Sequence, residues 1–295
     1  MVRPHPPELA VHQTDEKFGA DSNGASAPSF NDKEFAYIMH AFTNQEFQTI
    51  LPTPFEWIVI PGGEVLLKPG GYLRDAAPYQ VGEFAISKYP ITNAQFAAFI
   101  DAGGYSNPER WTATGWAKRT ESNWTEPRYW QAADWNRPDC PVVGVSWYES
   151  MAFCQWLSEA ADQAITLPTE QQWQRAAQGD DGREYPWGNT KPTDHLCNWD
   201  RNVDETTPVT RYPDGASPFG VMDMCGDVWE WCLTIWETGD TSVDAAGMRM
   251  LRGGSWSSDS PLSLWAANRN PGDPNTHRAP HTRDNFIGFR IALNA

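Results

Sequence analysis

Between Ser257 and Phe286 runs a stretch built from hydroxyls, amides, imidazoles and carboxylates. It carries Ser257, Ser258, Asp259, Ser260, Ser263, Asn268, Asn270, Asp273, Asn275, Thr276, His277, His281, Thr282, Asp284 and Asn285. Leu262, Leu264, Trp265 and Phe286 are interspersed with them. The chemistry such a mixture offers is hydrogen-bonded recognition of a ligand. Almost no apolar periodicity runs through it, which predicts neither a regular helix nor a half-buried strand. Its two ends, in contrast, are sharply defined: Arg252-Gly253-Gly254-Ser255-Trp256 and Ile287-Gly288-Phe289-Arg290-Ile291-Ala292. A long irregular segment fixed at both ends reads as a displayed surface, residues 257–286. Trp265 is its natural anchor for a ligand, because an aromatic ring among small polar groups can supply most of a binding energy. A core ring folded under the loop is the other reading of Trp265.

Other chemistry-bearing residues point to less. The five cysteines, Cys140, Cys154, Cys197, Cys225 and Cys232, are odd in number and no two are spaced C-x-x-C. They lack both a disulfide framework and zinc spacing, and read as buried thiols. His5, His12 and His40 are widely spaced in largely polar sequence, without the close spacing on one helix face that holds a metal. A net charge of −16 makes nucleic acid and anionic lipid poor partners. There is no apolar run of about eighteen residues to form a membrane span. Met1-Val2-Arg3-Pro4 leads into polar sequence rather than a signal-peptide core, so the expected setting is reducing and cytoplasmic.

The elements that hold the stretch in place are legible upstream. Residues 1–51 read as a separate N-terminal segment, with a flexible linker at 21–29 and a short amphipathic helical piece within 31–50. The domain proper is expected over 52–295. Strands are expected at Phe55–Ile60 and Phe84–Tyr89. Three capping boxes announce helices: Thr92 with Gln95, Ser146 with Glu149, and Thr169 with Gln172. Beyond Gly179, glycines and prolines punctuate the chain, so few strands should exceed about five residues. The 16 tryptophans suit a loop-rich core that aliphatic layers cannot fill. These signs predict an α+β fold of two or three helices on small twisted antiparallel sheets, with much of the mass in loops.

In order, Ile86 to Phe96, Pro141 to Trp147, Leu167 to Trp173, Tyr185 to Asn189, Gly220 to Trp231 and the two ends of the polar stretch resemble the formylglycine-generating enzyme (sulfatase-modifying factor) family. The resemblance covers about residues 55 to 293 and implies a C-type-lectin-like fold. Catalytic members oxidise a substrate cysteine with a copper-binding cysteine pair placed just after the Gly-Gly-Ser-aromatic segment. Here Ser257 to Trp265 contains no cysteine, and hydroxyls cannot replace soft thiolates for Cu(I). Iron-dependent sulfoxide synthases of the family use histidines of an added helical domain, which His5, His12 and His40 do not match. No copper or iron is therefore expected.

The resemblance also implies structural calcium. Asn198 and the Trp199 carbonyl would supply one part of the site, and Asp227, Val228 and Glu230 the other, although the loop after Asn198 is shortened. Hydrogen bonding within a loop-rich core is the competing role of these residues. A third group similar to this family comprises the variable proteins of diversity-generating retroelements. There, adenine-directed mutagenesis rewrites Asn codons between the same two ends. Ala267, Arg269, Pro274, Arg278, Arg283, Ile287 and Gly288 interleave with the polar positions as fixed spacers would. The resulting expectation is a non-catalytic protein that binds a macromolecular ligand, protein or glycan, through 257–286. The alternative is an oxidoreductase or accessory enzyme of this family that lacks the copper cysteine pair.

Overall fold

The computed structural model describes residues 47–269, 272, 273 and 275–294. The linker at 21–29, most of the helical piece within 31–50, the three N-terminal histidines and Asn270 lie outside the described residues.

All three capping boxes start helices. Helix α1 (Asn93–Asp101) follows Thr92, whose hydroxyl accepts from the Gln95 amide while the Gln95 side chain accepts from the Thr92 amide. Ser146 and Glu149 pair in the same way at α3 (Trp147–Ala161), and Thr169 and Gln172 do so at α4 (Glu170–Gln178). Helix α2 (Ala113–Glu121) was not anticipated. Its N-cap Thr112 accepts from the Gly115 amide, but with glycine at N3 no side chain reaches back.

Strands β1 (Trp57–Ile60), β4 (Phe84–Ser87), β5 (Ile165–Thr166) and β10 (Ala292–Asn294) form one sheet in the order β1-β4-β10-β5. It closes the two ends of the domain on each other. Strands β2 (Gly63–Leu67) and β3 (Ala77–Val81) pair as a separate antiparallel ribbon. The third sheet has the order β8-β7-β6-β9, from β6 (Trp229–Ile235), β7 (Arg249–Arg252), β8 (His277–Arg278) and β9 (Ile287–Gly288). Its β6–β9 pairing is parallel, a departure from the otherwise antiparallel pairing.

That third sheet positions the polar stretch. β7 ends at Arg252 and β9 begins at Ile287, and the two flank β6. The chain thus leaves the sheet on one side of β6 and returns on the other. Within the stretch, against the expectation of no strand, His277–Arg278 pairs with β7. No tryptophan among the 16 is fully exposed, and nine of them, from Trp57 to Trp256, are buried. No described helix is long and apolar enough to cross a membrane.

Buried arginines tie the C-terminal part to the rest. Arg290 donates to both oxygens of Glu230, at 2.6 and 2.8 Å, and to the Ser87 and Met222 carbonyls. Trp173 adds its indole N–H to Glu230 at 2.7 Å. Arg269 donates to Glu170, the first residue of α4, at 2.8 and 3.2 Å. Arg252 reaches Gln174 and the Ala266 and Asn268 carbonyls. Removing one partner of such a pair leaves a buried charge uncompensated. Arg290→Met is therefore expected to lower the unfolding free energy by about 3–5 kcal/mol, read by denaturant titration. Arg290→Met combined with Glu230→Leu should recover part of that loss. A change for Arg290→Met within the range of a surface substitution would contradict this account.

Candidate functional site

The backbone of the polar stretch is fixed by main-chain bonds from outside it. Gly253 accepts from the Gly226 amide, and Trp256 donates to the Asp227 carbonyl. Trp256 and Ser258 in turn accept from the amides of Arg201 and Asp200, two residues in the left-handed region at φ 57 and 48. Gly254 sits at φ +77, and a Cβ there would lie 2.5 Å from Leu264, so a side chain is excluded twice over. A short 3₁₀ turn, Pro261–Leu264, is capped by the Ser260 hydroxyl.

Around this turn opens a polar cavity of about 320 Å³. Ser257, Ser258, Asp259, Ser260, Leu262, Ser263, Asn268, Gly272, Asp273 and Asn275 line it. Asp259 and Leu262 are exposed; Ser257, Ser260, Ser263, Asp273 and Asn275 are half-buried. Asp273 orders the far wall, accepting from the Ser263 hydroxyl at 2.8 Å and from the Asn275 amide at 2.9 Å.

Four residues expected on display are buried. Leu264 is 0 % exposed, packed with Tyr185, Cys197 and Cys225 beneath the turn. The Ser258 hydroxyl accepts from the Ser255 amide, Thr276 donates its hydroxyl to the Asp273 carbonyl, and the Asn268 carbonyl receives Arg252. These side chains and carbonyls satisfy the irregular backbone, which draws them inward. Ser258 and Asn268 still contribute to the cavity wall.

Trp265 is neither fully displayed nor fully folded under the loop, and it is not among the described residues lining the cavity. It is half-buried against the Tyr185 cluster, donates its indole N–H to the Tyr185 hydroxyl at 3.1 Å, and carries the Lys68 ammonium 4.5 Å from its ring centroid. Neither Tyr185 nor Lys68 is marked in the sequence as its partner. Tyr185 lies in the Tyr-Pro-Trp-Gly segment quoted for the resemblance, and nothing local pointed to Lys68.

The remaining expected residues do not line the cavity. His277 stacks on Trp236 with centroids 4.3 Å apart. Residues 279–286 form a brace: Asp284 accepts from the Gly144 amide, Asn285 from the Trp256 indole, and Phe286 packs on the main core. Arg283 donates to the buried Glu149 of α3 at 3.0 Å. Thr282 is half-buried and His281 exposed in the same segment. The stretch is thus divided into a cavity wall, within 257–275, and a brace.

The calcium residues fall into two groups. Asp227, at φ +60 and 1 % exposed, accepts through Oδ1 from the Asn198 amide at 2.8 Å and from the Thr207 amide and hydroxyl. Its Oδ2, Asn198 Oδ1 and Asp223 Oδ2 are buried without a hydrogen-bond partner. Burial pushes the Asp227 carboxyl up to about 7, and burial with the neighbouring Asp227 charge lifts Asp223 well above the carboxylate range. Such orphaned oxygens are what a hard cation satisfies. Asp223 was missed in sequence, where only its distance from Asp227 could have flagged it. Glu230 does not fit: both oxygens are held by Arg290, and Trp173 adds a third bond. Trp199 offers a carbonyl that already accepts from Asn202, and Val228 is buried. Among the described residues no three His, Cys, Asp or Glu side chains converge. An ion there would rest on Asp223, Asp227, Asn198 and main-chain oxygens.

Residues 42–295 match the family model of the sulfatase-modifying factor enzyme 1-like domain, and the chain belongs to that family. It is 32% identical over 244 residues to a hercynine oxygenase of Mycobacterium tuberculosis, covering 74% of this chain and 54% of the relative. The chain therefore spans about half the length of that relative. It is 32% identical over 261 residues to a formylglycine-generating enzyme of Thermomonospora curvata, covering 68% of this chain and 82% of that enzyme. The fold is similar to that of Treponema denticola variable protein 1, with a TM-score of 0.59 and 21% identity over 82% of this chain and 95% of that one. The α+β, C-type-lectin-like architecture read from the sequence is the observed one.

The His277–Trp236 stack has a pH signature. Burial, then the nearby Arg278 charge, lowers the imidazole below its ordinary value of 6.5, while Glu237 and Asp273 act in the opposite sense. The unfolded chain then takes up the proton more readily than the folded one. Stability from this group is present above about pH 6.5 and is lost as pH falls through the lowered folded value. His277→Phe keeps the stack and should show a shallower loss of melting temperature between about pH 7 and about pH 5. Equal slopes for the two proteins would rule the contribution out.

Proposed function

We propose that this family member is a non-catalytic ligand-binding protein whose cavity-lining side chains are diversified on a fixed backbone. The observation that carries the reading is the origin of the cavity wall. Every described lining residue comes from 257–275, while the acids that pin Arg269 within it and Arg283 and Arg290 beyond it, Glu170, Glu149 and Glu230, lie outside it. Hydroxyl, amide and carboxylate groups line the cavity and no thiol does, so it is furnished for hydrogen bonding and lacks a soft copper ligand. The fold shared with the Treponema variable protein is compatible with this use. The partner is a macromolecule.

Sequences of sibling genes test the diversification directly. Substitutions are expected to concentrate at Ser257, Asp259, Ser260, Ser263, Asp273 and Asn275, and to spare Gly254, Leu264, Arg269 and Arg283. Variation spread evenly along the chain would remove the reading. The identity with a hercynine oxygenase favours a second one, an oxidoreductase of this family acting without the copper cysteine pair. Turnover of a thiol substrate under oxygen, lost on substitution of the cavity residues, would establish that alternative.

We further propose a structural calcium ion held by Asp223, Asp227 and Asn198, joining the 198–207 loop to the start of β6. The support is the three orphaned oxygens. An ion that binds only the folded state stabilises it by about 2.7 kcal/mol at a hundredfold excess over its dissociation constant. Protein stripped with EDTA should gain melting temperature on addition of millimolar calcium, and Asp227→Asn should abolish the gain. Identical melting curves with and without calcium would exclude the ion.

A further inference from the structure

We infer that the cavity around the 3₁₀ turn takes a cationic side chain, a lysine ammonium or arginine guanidinium presented by a protein partner. This names the ligand class for the binding reading above and rests on it. Among the described lining residues Asp259 and Asp273 are the charged groups, and none is a lysine or arginine. The other polar walls are serine hydroxyls and asparagine amides, whose oxygens accept hydrogen bonds.

Asp259 is exposed and makes no hydrogen bond or ion pair with another described residue. Asp273 already accepts from Ser263 and Asn275, one bond at each oxygen, and each oxygen can accept a further hydrogen bond. Arg278, which touches the wall through Asn275, is tied back to the Asn275 side chain and to the His277 carbonyl. A guanidinium has five donors and no acceptor, so it can pair with the two carboxylates and with hydroxyl oxygens, although the Asn275 oxygen is already held by Arg278. Leu262, 52 % exposed at the rim, offers an apolar surface to the methylene stem that such a side chain carries.

Volume and field agree with that choice. About 320 Å³ is a small-ligand cavity, enough for one side-chain head group and its stem. The net charge of −16 draws a cationic partner in and repels an anionic one. A phosphate or sulfate ester would meet two carboxylates and no opposing cation among the described lining residues. A neutral sugar could donate hydroxyls to these carboxylates but would bring no opposing charge.

The test uses the full chain and three labelled probes in about 0.15 M salt, where long-range attraction is largely screened. The probes are a hexapeptide of alternating glycine and arginine, the same peptide with glutamate for arginine, and maltohexaose. Fluorescence anisotropy should show binding of the arginine peptide alone. Asp259→Asn should weaken it roughly tenfold, the loss of one charge-assisted pair. Asp101→Asn, which removes an exposed charge on α1 away from the cavity, should change it less than about twofold. Asp273→Asn should also weaken binding, and circular dichroism of that variant separates lost charge from a disordered wall.

Equal weakening by Asp259→Asn and Asp101→Asn would mean that net charge, and no site, holds the peptide, and would overturn the inference. Absence of binding to the arginine peptide would overturn it as well. Binding of the glutamate peptide or of maltohexaose, lost on substitution of cavity residues, would overturn the ligand class and leave the binding reading standing. Even variation among siblings would sink that reading independently of any probe.

Discussion

Buried arginine–glutamate pairs are the constraint on which this molecule depends. A stretch without periodic backbone bonding cannot hold itself in place, and burying it requires partners strong enough to fix direction as well as position. Guanidinium groups meet both needs, because their planar donors address a carboxylate and several carbonyls at once. Arg290 does so with Glu230, Ser87 and Met222, and Arg269 with Glu170 and the Lys68 carbonyl. Two of the acids stand in the first turn of a helix, Glu170 at the start of α4 and Glu149 in the capping box of α3. Free amides there favour a negative charge before any arginine arrives. The desolvation of Glu149 still dominates, since burial raises its carboxyl in spite of Arg283. Ion pairs of this kind contribute little net stability against an apolar alternative, but they define one arrangement.

Aromatic packing supplies what the pairs do not. The main core stacks Phe96 on Phe153 with edge contacts from Phe99, Phe289 and Trp156. Flat rings fill the gaps between short strands and irregular turns that branched aliphatic side chains would leave open. The same rings receive the arginines. Arg249 lies 3.9 Å from the Trp147 centroid, and Arg283 lies 4.6 Å from that of Trp124. Cationic and apolar parts of the interior are therefore interleaved.

What was legible in the sequence was what is local. The three capping boxes are decided within four residues, and each gave the helix it announced. Helix α2 escaped because Gly115 at N3 removes half of that signal. The β2–β3 ribbon escaped because Leu66, more than half exposed, and Pro78 blur the alternation of an amphipathic strand. The parallel β6–β9 pair joins segments far apart in the chain and has no local signature. Glu230 could be recognised as a carboxylate, but its partner lies 60 residues away, so a metal ligand and a salt-bridge partner look alike. Burial in the polar stretch was hidden for a related reason. Ser258 and Thr276 are inside because they satisfy main-chain groups, and a hydroxyl that serves the backbone reads in sequence like one that faces water.

The division of labour inside the stretch follows from where each residue finds its partner. Arg269 and Arg283 pair with acids contributed by α4 and α3, so exchanging a neighbour such as Ser257 or Asp259 leaves those contacts intact. Leu264 is fixed differently, by the space beneath the turn and by Gly254 above it. Asp273 stands between the two kinds. It lines the cavity, yet it also orders the wall through Ser263 and Asn275, so a change there alters backbone order together with chemistry. A surface of this construction is free to change at Asp259 and Ser257, coupled at Asp273, and closed to change at Leu264. On the proposed binding reading, specificity would shift at Asp259 and Ser257 without the fold moving, whereas Asp273 and Ser258 both line the cavity and hold the loop.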